Sequence, residues 1–398
     1  MQKTAFCYQL RLTIFKHLFN VANKCLNMEF CTAWLCRQPE NFMSKKEQLY
    51  ALIRARPMIS QQELADCLSL SRSAVAGHIA GLIREGRLLG RAYQFPEAAR
   101  VLCIGGANTD RKLRTASPLQ MGTSNPASMS ESFGGVARNI AENLARTGVA
   151  VSLLTAVGTD SAGQGLMQHA GACGIDTSLS RICRDMSSGT YTALLDAQGE
   201  MTLALAVMDI YEQLDVSYLS AQVPVSGYPL LVADMNLPAA SLAWLMQRCS
   251  KGLQKLVIVA VSAPKMARLP ERLDGTALMI LNRDELLAAT GTTSHAGTDW
   301  QALARSLLQR GAEKVLVTAG EHGVWGVEAT QSWHLPALPV QVRDVTGAGD
   351  AFSAGVLAGL MRAPDDLQAA ARQGLKLAAL TLQSEQTVAG DLHPAIFE

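Results

Sequence analysis

The sequence predicts an α/β protein built on a doubly wound sheet, with a small helical module in front of it. Three observations carry this. From Val101 onward, short apolar runs alternate with segments of helical periodicity, as a mostly parallel sheet covered by helices requires. Residues 44–95 instead show short helical patterns separated by a tight turn. Charge divides the chain at the same place. The total is only +1, but residues 1–43 hold five Lys/Arg and two acids, residues 44–95 hold eight and four, and the remainder holds 22 and 28. A basic front on an acidic body points to nucleic acid as the partner of the front part.

The 398 residues are 48% hydrophobic and 17% charged, a globular composition that can bury a good core. No apolar run approaches the ~18 residues of a membrane span. The nine cysteines form no C-x-x-C pair, so they read as free thiols in a reducing cytoplasm rather than a zinc site. Residues 1–43 are basic, rich in Phe, Leu and Cys, and without an acid before Glu29. Arg11 and Lys16 interrupt any signal-peptide core. The segment is expected to be a poorly ordered, non-native extension, with the working chain starting near Met43.

In residues 44–95, Leu49, Leu52 and Ile53 mark one helix. Ser60 caps a second, with Glu63 in capping-box position and Leu64, Ala65 and Leu68 on its apolar face. Ser71 caps a third, carrying Val75, Ile79, Leu82 and Ile83. A basic hairpin follows at 84–91. This pattern resembles a winged helix-turn-helix. That resemblance implies that Ser71, Arg72, Ser73 and Gly77 face DNA and that Arg87 and Arg91 grip its backbone. The alternative is a helical module for protein contacts. The boundary with the rest lies near Pro96–Arg100.

The strands expected beyond it are 101–104, 151–157, 190–195, 203–207, 230–233, 256–261, 277–281 and 314–318. Helices are expected at 137–147, 239–249, 284–290, 299–310, 350–361 and 366–382. In such sheets ligands bind at the carboxyl ends of the strands. Strand 101–104 ends in Gly105-Gly106-Ala107-Asn108-Thr109-Asp110, where Asn108 and Asp110 project to one side of extended chain and suit two hydroxyls. Gly134-Gly135 opens a helix that carries Asn139. Asn282 and Glu285 share a helix start and suit either a water-ringed Mg²⁺ or a simple cap. Thr318, Gly320 and Gly323 follow another strand and suit a nucleotide or a plain turn. The most specific stretch is Asp344-Val345-Thr346-Gly347-Ala348-Gly349-Asp350. Its small-residue turn enters a helix and favours an anion, above all phosphate. Asp350 fits beside a phosphate if its task is to take a proton from an attacking hydroxyl.

These elements stand in the order found in ribokinase-like (PfkB-type) carbohydrate kinases, which residues 101–393 resemble as a whole. Gly134–Ala141 and Asp344–Asp350 match the two family signatures, and Gly158-Thr159-Asp160…Gly163 matches a family turn. Within the family, "GGVARNIAENLARTG", "GTYTALLDAQGEM", "VADMNLP" and "LTLQSEQTV" look most like pseudouridine kinases. The resemblance implies a ribokinase-like fold with a small β lid at 190–195 and 203–207, which dimerises in relatives. It implies an ATP- and Mg²⁺-dependent kinase of the 5′-hydroxyl of a nucleoside, with a free sugar or another nucleoside as rival substrates. By resemblance Asp350 is the base and Gly347, Ala348 and Gly349 form the anion hole. Asn108, Asp110, Gly134, Gly135 and Asn139 hold the ribose. Asn282 and Glu285 serve Mg²⁺ and the phosphates, while Thr318, Gly320 and Gly323 line the ATP site. Asp344, with residues around Ser384, holds a potassium ion. One departure stands out: where relatives place an Asp near a Pro after strand 256–259, this chain has Val259-Ala260, so a supporting acid is expected to be missing. The rival from another class is a transcription regulator whose kinase-like domain senses a ligand.

Overall fold

The computed structural model describes residues 44–55, 59–88, 100–252, 254–293 and 298–397. The chain divides into two compact units, Met1–Glu97 and Ala98–Glu398. The expected extension at 1–43, Arg91, the end of the basic hairpin and most of the boundary at Pro96–Arg100 lie outside the described residues.

The first unit contains α1 (Lys45–Ala55), α2 (Gln61–Leu68) and α3 (Arg72–Arg84). Leu49, Ile53, Leu64, Val75 and Leu82 meet in one small core. The expected capping box is present: Ser60 Oγ accepts from the Glu63 N–H at 3.2 Å, and Glu63 Oε2 accepts from the Ser60 N–H at 2.8 Å. Ser69, left-handed at φ 53°, ends α2, and Ser71 Oγ caps α3 through the Ala74 N–H at 3.1 Å. Ser71 also bonds the Ser73 hydroxyl at 2.9 Å, and Arg72 is exposed. Arg87, expected to grip a DNA backbone, has partners within the unit. Its guanidinium forms a two-pronged pair with Glu47 at 2.6 and 2.8 Å and lies over the Tyr50 ring. A planar cation within reach of both an acid and an aromatic face satisfies itself internally.

The second unit runs β1 (Val101–Ile104), β2 (Asn108–Thr115), β3 (Ala127–Gly134), α4 (Val136–Arg146), β4 (Val151–Leu154), β5 (Ala156–Gly158), α5 (Ser161–Ala172) and β6 (Arg181–Cys183). It continues with β7 (Thr190–Leu195), β8 (Met201–Val207), α6 (Val216–Gln222), β9 (Leu230–Asp234), α7 (Ala239–Cys249), β10 (Lys255–Val259), β11 (Thr276–Asn282), α8 (Arg283–Thr290) and α9 (Trp300–Gln309). It closes with β12 (Lys314–Thr318), β13 (Val324–Glu328), β14 (Ser332–Leu335), α10 (Ala348–Arg362) and α11 (Leu367–Leu382).

The main sheet has eight strands in the order β14-β13-β12-β11-β10-β9-β1-β4. All its pairings are parallel except β12–β13 and β13–β14. Alternate residues of β1 feed opposite layers. Val101 and Cys103 join the helices α4, α5, α10 and α11, whereas Leu102 and Ile104 join α6, α7, α8 and α9. That alternation is what double winding demands of a central strand. Successive connections from β1 run outward to β4 and then back to β9 on its other side, so the switch point lies at the carboxyl ends of β1 and β9.

Two expectations are corrected. The single strand at 151–157 is two strands, β4 in the main sheet and β5 paired with β6. The break is at Thr155, whose carbonyl accepts from the Arg181 N–H at 2.7 Å and whose N–H donates to Ser180 Oγ at 3.2 Å. The lid is also larger than expected: a four-stranded sheet in the order β3-β2-β7-β8. Strands β2 and β3 escape sequence reading because both are mostly polar and β3 is exposed along most of its length, which removes the apolar alternation that signals a strand.

Tyr211, in a short 3-10 helix at Asp209–Gln213, is fully buried. Its hydroxyl accepts from the Ala107 N–H at 3.1 Å and donates to the Ala107 carbonyl at 2.7 Å. Replacing it in Tyr211→Phe leaves both groups unpaired in the interior. The variant should lose about 1–3 kcal/mol of stability, read by denaturant unfolding.

Candidate active site

The switch point is closed by one buried side chain that sequence reading passes over. Asp234 ends β9 and is 1% exposed. Its Oδ2 accepts from the N–H of Gly106 at 2.8 Å, the N–H of Ala137 at 3.0 Å and Asn236 Nδ2 at 3.0 Å. Its Oδ1 accepts from the Asn236 N–H at 2.8 Å. The carboxylate thus pulls the β1 turn and the start of α4 together. Gly105 is required beside it, since a Cβ there would stand 2.3 Å from Asp234 Cγ. Gly135 is left-handed at φ 99°, and a Cβ on it would stand 2.4 Å from the Gly106 carbonyl oxygen. The missing acid at Val259-Ala260 is answered here as well. Val259 is the ladder partner of Asp234, so a buried carboxylate still lies at this end of the sheet. The signal available in the sequence was an acid closing an otherwise wholly apolar strand.

Asn108 and Asp110 begin β2 and share one side, as expected: Asn108 Nδ2 donates to Asp110 Oδ1 at 2.6 Å. Gly134 pairs with Asn108 across the lid sheet, and a Cβ there would fall 2.1 Å from Asp110 Oδ2. Burial holds the Asp110 carboxyl above its usual range against the Asn108 hydrogen bond.

Asp350 lies in the first turn of α10, behind Gly347, which caps the helix at φ 82°. A Cβ on Gly347 would meet the Thr387 carbonyl at 2.1 Å, whereas Gly349 has nothing within 4 Å of that position. The turn is therefore pinned behind Gly347 and open in front of Gly349. The first-turn amides of Ala348, Gly349 and Asp350 belong to the positive end of α10. Asn139 Nδ2 donates to Asp350 Oδ2 at 2.7 Å, linking the helices that carry the two signatures. Asp350 is pushed up to about 7, chiefly by burial and further by the charges of Asp234 and Glu285, against the Asn139 hydrogen bond and the Arg138 charge. A carboxylate so placed is a proton acceptor matched to neutral pH.

Asn282 and Glu285 form a capping box at the start of α8: Asn282 Oδ1 accepts from the Glu285 N–H at 2.9 Å, and Glu285 Oε2 accepts from the Asn282 N–H at 2.7 Å. The cap reading of these residues is therefore correct, and it occupies the Asn282 oxygen. Glu285 is buried, its charge reaches Asp350, and burial raises its own carboxyl. A hard oxygen donor with one oxygen outside the cap fits Mg²⁺.

Thr318 ends β12. The turn after it is a 3-10 helix, Gly320–His322, flanked by left-handed Gly320 and Gly323. Asp344 Oδ1 accepts from the Thr346 N–H at 2.8 Å, and Oδ2 lies 3.7 Å from Lys112 Nζ of the lid. Burial works against ionisation there, but these partners hold the Asp344 carboxyl below its usual range. The structure thus brings Asn108, Asp110, Gly134, Gly135, Asn139 and Asp350 into one connected cluster. The charges of Glu285 and Asp350 are coupled, while among the described residues no hydrogen bond joins Thr318, Gly320, Gly323 or Asp344 to that cluster. Sequence reading also missed Arg138, whose buried guanidinium donates to Asn139 Oδ1 at 2.7 Å.

A glycine-lined helix N-terminus, a raised carboxyl and a paired Asn/Asp at a doubly wound switch point define a phosphotransferase site. The pfkB family carbohydrate kinase model matches residues 98–393, and the chain belongs to that family of ATP-dependent carbohydrate and nucleoside kinases. It is 28% identical over 316 residues to the uncharacterised sugar kinase YeiI of Escherichia coli K12, covering 79% of this chain and 87% of that one. It is 31% identical over 259 residues to the pseudouridine kinase of the same organism, covering 64% and 82%. A carbohydrate kinase from Agrobacterium tumefaciens superposes with TM-score 0.65 at 30% identity, covering 75% of this chain and 95% of that one. Arabidopsis thaliana ribokinase, solved with ribose and ATP, shares the fold at TM-score 0.65 and 18% identity, covering 75% and 97%.

If Asp350 accepts the proton of an attacking hydroxyl it must be ionised, and kcat/KM should then fall as pH drops below about 7. In Asp234→Asn one buried negative charge is gone, so this acidic limb should move to lower pH in a rate profile. Gly135→Ala forces an L side chain into a left-handed turn and should cost more than ~1 kcal/mol in unfolding experiments.

Proposed function

We propose that the second unit transfers the γ-phosphoryl group of ATP to the 5′-hydroxyl of a nucleoside, with pseudouridine as the leading substrate, and that residues 44–95 add a DNA-binding module. The observation that carries the transfer is the placement of Asp350: a raised carboxyl in the first turn of a glycine-led helix, hydrogen-bonded to Asn139. The 31% identity to a pseudouridine kinase supports the choice of substrate. Val136 follows the glycine pair where sugar-specific relatives often carry Lys, which leaves room for a bulky base.

In this reading Asn108 and Asp110 accept and donate to the ribose hydroxyls, with Gly134 and Gly135 allowing close approach. Asn139 orients Asp350, which takes the proton of the attacking hydroxyl. Gly347, Ala348 and Gly349 receive the moving phosphoryl oxygens on their amides. Thr318, Gly320 and Gly323 line the nucleotide. Glu285 and Asn282 would hold the water shell of Mg²⁺, which supplies charge neutralisation to the phosphates. Carbonyls near Asp344 and Ser384 would hold potassium. No helix among the described residues is long and apolar enough to cross a membrane, which agrees with a cytoplasmic enzyme. Strand β8 exposes Met201, Leu203, Leu205 and Val207 at an edge of the lid, which supports a homodimer through that sheet.

A second reading rests on the first unit, where α2, a left-handed turn at Ser69 and α3 share one core. The chain is then a regulator as well as, or instead of, an enzyme. Arg72 and Ser73 remain available to a duplex, while Arg87 contributes only if it leaves Glu47.

A panel of pseudouridine, uridine, inosine, adenosine and ribose with ATP should give the highest kcat/KM for pseudouridine. No transfer to any member would sink the kinase reading, and a preference for ribose would replace the substrate. Asp350→Asn should lower kcat on the order of 10²–10⁴-fold. Near wild-type turnover would remove Asp350 as base. Salt-dependent binding to a specific duplex, weakened in Arg72→Ala, is expected of the module, and no binding at low salt overturns it.

A further inference from the structure

Three side chains on one face of α4 run back from the site at intervals of one turn: Arg138 and Glu142, both buried, and the half-buried Arg146. Arg138 Nη1 donates to the Phe133 carbonyl and to Asn139 Oδ1, each at 2.7 Å. Its Nη2 pairs with Glu142 Oε2, and both side chains are 5% exposed or less. Glu142 Oε1 in turn accepts from Arg146 Nε at 2.8 Å. An amide has one acceptor end and one donor end. With Arg138 on Oδ1, the only orientation left to Asn139 aims Nδ2 at Asp350 Oδ2.

We propose that Arg138 is a positioning residue for phosphoryl transfer: braced by Glu142, it locks the Asn139 amide in the one orientation that donates to Asp350. This rests on the kinase reading above. The guanidinium also supplies the nearby positive charge in a pocket of acids. Asp234 from β9, Glu285 from α8 and Asp110 from β2 all act on Asp350 or on Arg138. On the far side, Arg138 faces Cys173 of α5 and Arg146, and Glu142 faces His169. Without Arg138, the amide is free to flip and present its carbonyl to a carboxylate, which repels it, and Asp350 loses a positive charge that acts on it directly; the remaining cations, Lys112 and Lys265, act on Asp110 and Asp234.

The test is a titration of Asp350 by carboxyl carbon NMR in aspartate-labelled protein, its resonance identified by loss in Asp350→Asn, together with steady-state kinetics. In Arg138→Met the midpoint should rise by about 1 unit, as expected on losing a neighbouring opposite charge. In Arg138→Lys the charge stays but the planar fork is lost. The midpoint should hold while kcat falls on the order of 10²-fold with KM for ATP unchanged. Glu142→Gln keeps Arg138 but loosens its brace, and should lower kcat in the same sense if Arg138→Met does not fold. A side chain that only fills space would not move the midpoint. An unmoved midpoint in Arg138→Met, or wild-type kcat in both Arg138→Lys and Glu142→Gln, overturns the proposal. If the wild type phosphorylates no nucleoside or sugar, the kinase reading falls, and the NMR midpoints still decide whether Arg138 governs Asp350.

Discussion

A carboxylate buried without a cation in hydrogen-bond contact must collect enough N–H donors to repay its lost hydration. Asp234 collects them mostly from backbone, at Gly106, Ala137 and Asn236, yet burial outweighs them and holds its carboxyl above the usual range. That requirement explains why the two glycine turns lie against each other. The N–H groups of separate elements can converge on one carboxylate only if no Cβ stands between them. The glycines are consequences of the buried acid, and Asn108 and Asn139 inherit their places from the turns it holds. Tyr211 repeats the arrangement with a hydroxyl, pinning both polar groups of Ala107.

The same burial tunes the chemistry. Desolvation alone raises a carboxyl, and two further acids, Asp234 and Glu285, push Asp350 in the same direction. Asn139 and Arg138 restrain the rise. The outcome is a carboxyl partly protonated at neutral pH, the state that suits the proton acceptor proposed above. A fully exposed aspartate in the same helix turn would be ionised but too weak a base to help.

Sequence alone was informative wherever a local rule operates. The capping box at Ser60–Glu63, the shared side of Asn108 and Asp110, and the glycine-led start of α10 each follow from a few neighbouring residues. Strand runs such as 190–195 and 314–318, and the helix at 239–249, match the structure because apolar periodicity is strong there. What was not legible depends on partners far along the chain. The lid strands β2 and β3 carry no apolar alternation. The role of Asp234 exists only once β1, α4 and β9 are assembled. Arg87 reads as a phosphate contact until Glu47 and Tyr50 are seen beside it. Asn282 and Glu285 supported two readings equally, and the structure shows the cap without removing the metal reading of Glu285.

The lid strand β2 begins at the site itself, since Asn108 is both its first residue and a member of the cluster around Gly134. Its root is buried and constrained, while Arg111, Lys112 and Arg114 further out are solvated. Strand β1 of the main sheet and β2 of the lid are thus joined by three residues, Gly105–Ala107. Such a short join ties the root of the lid to the buried turns around Asp234, and leaves its outer strands free to drift in sequence without disturbing them.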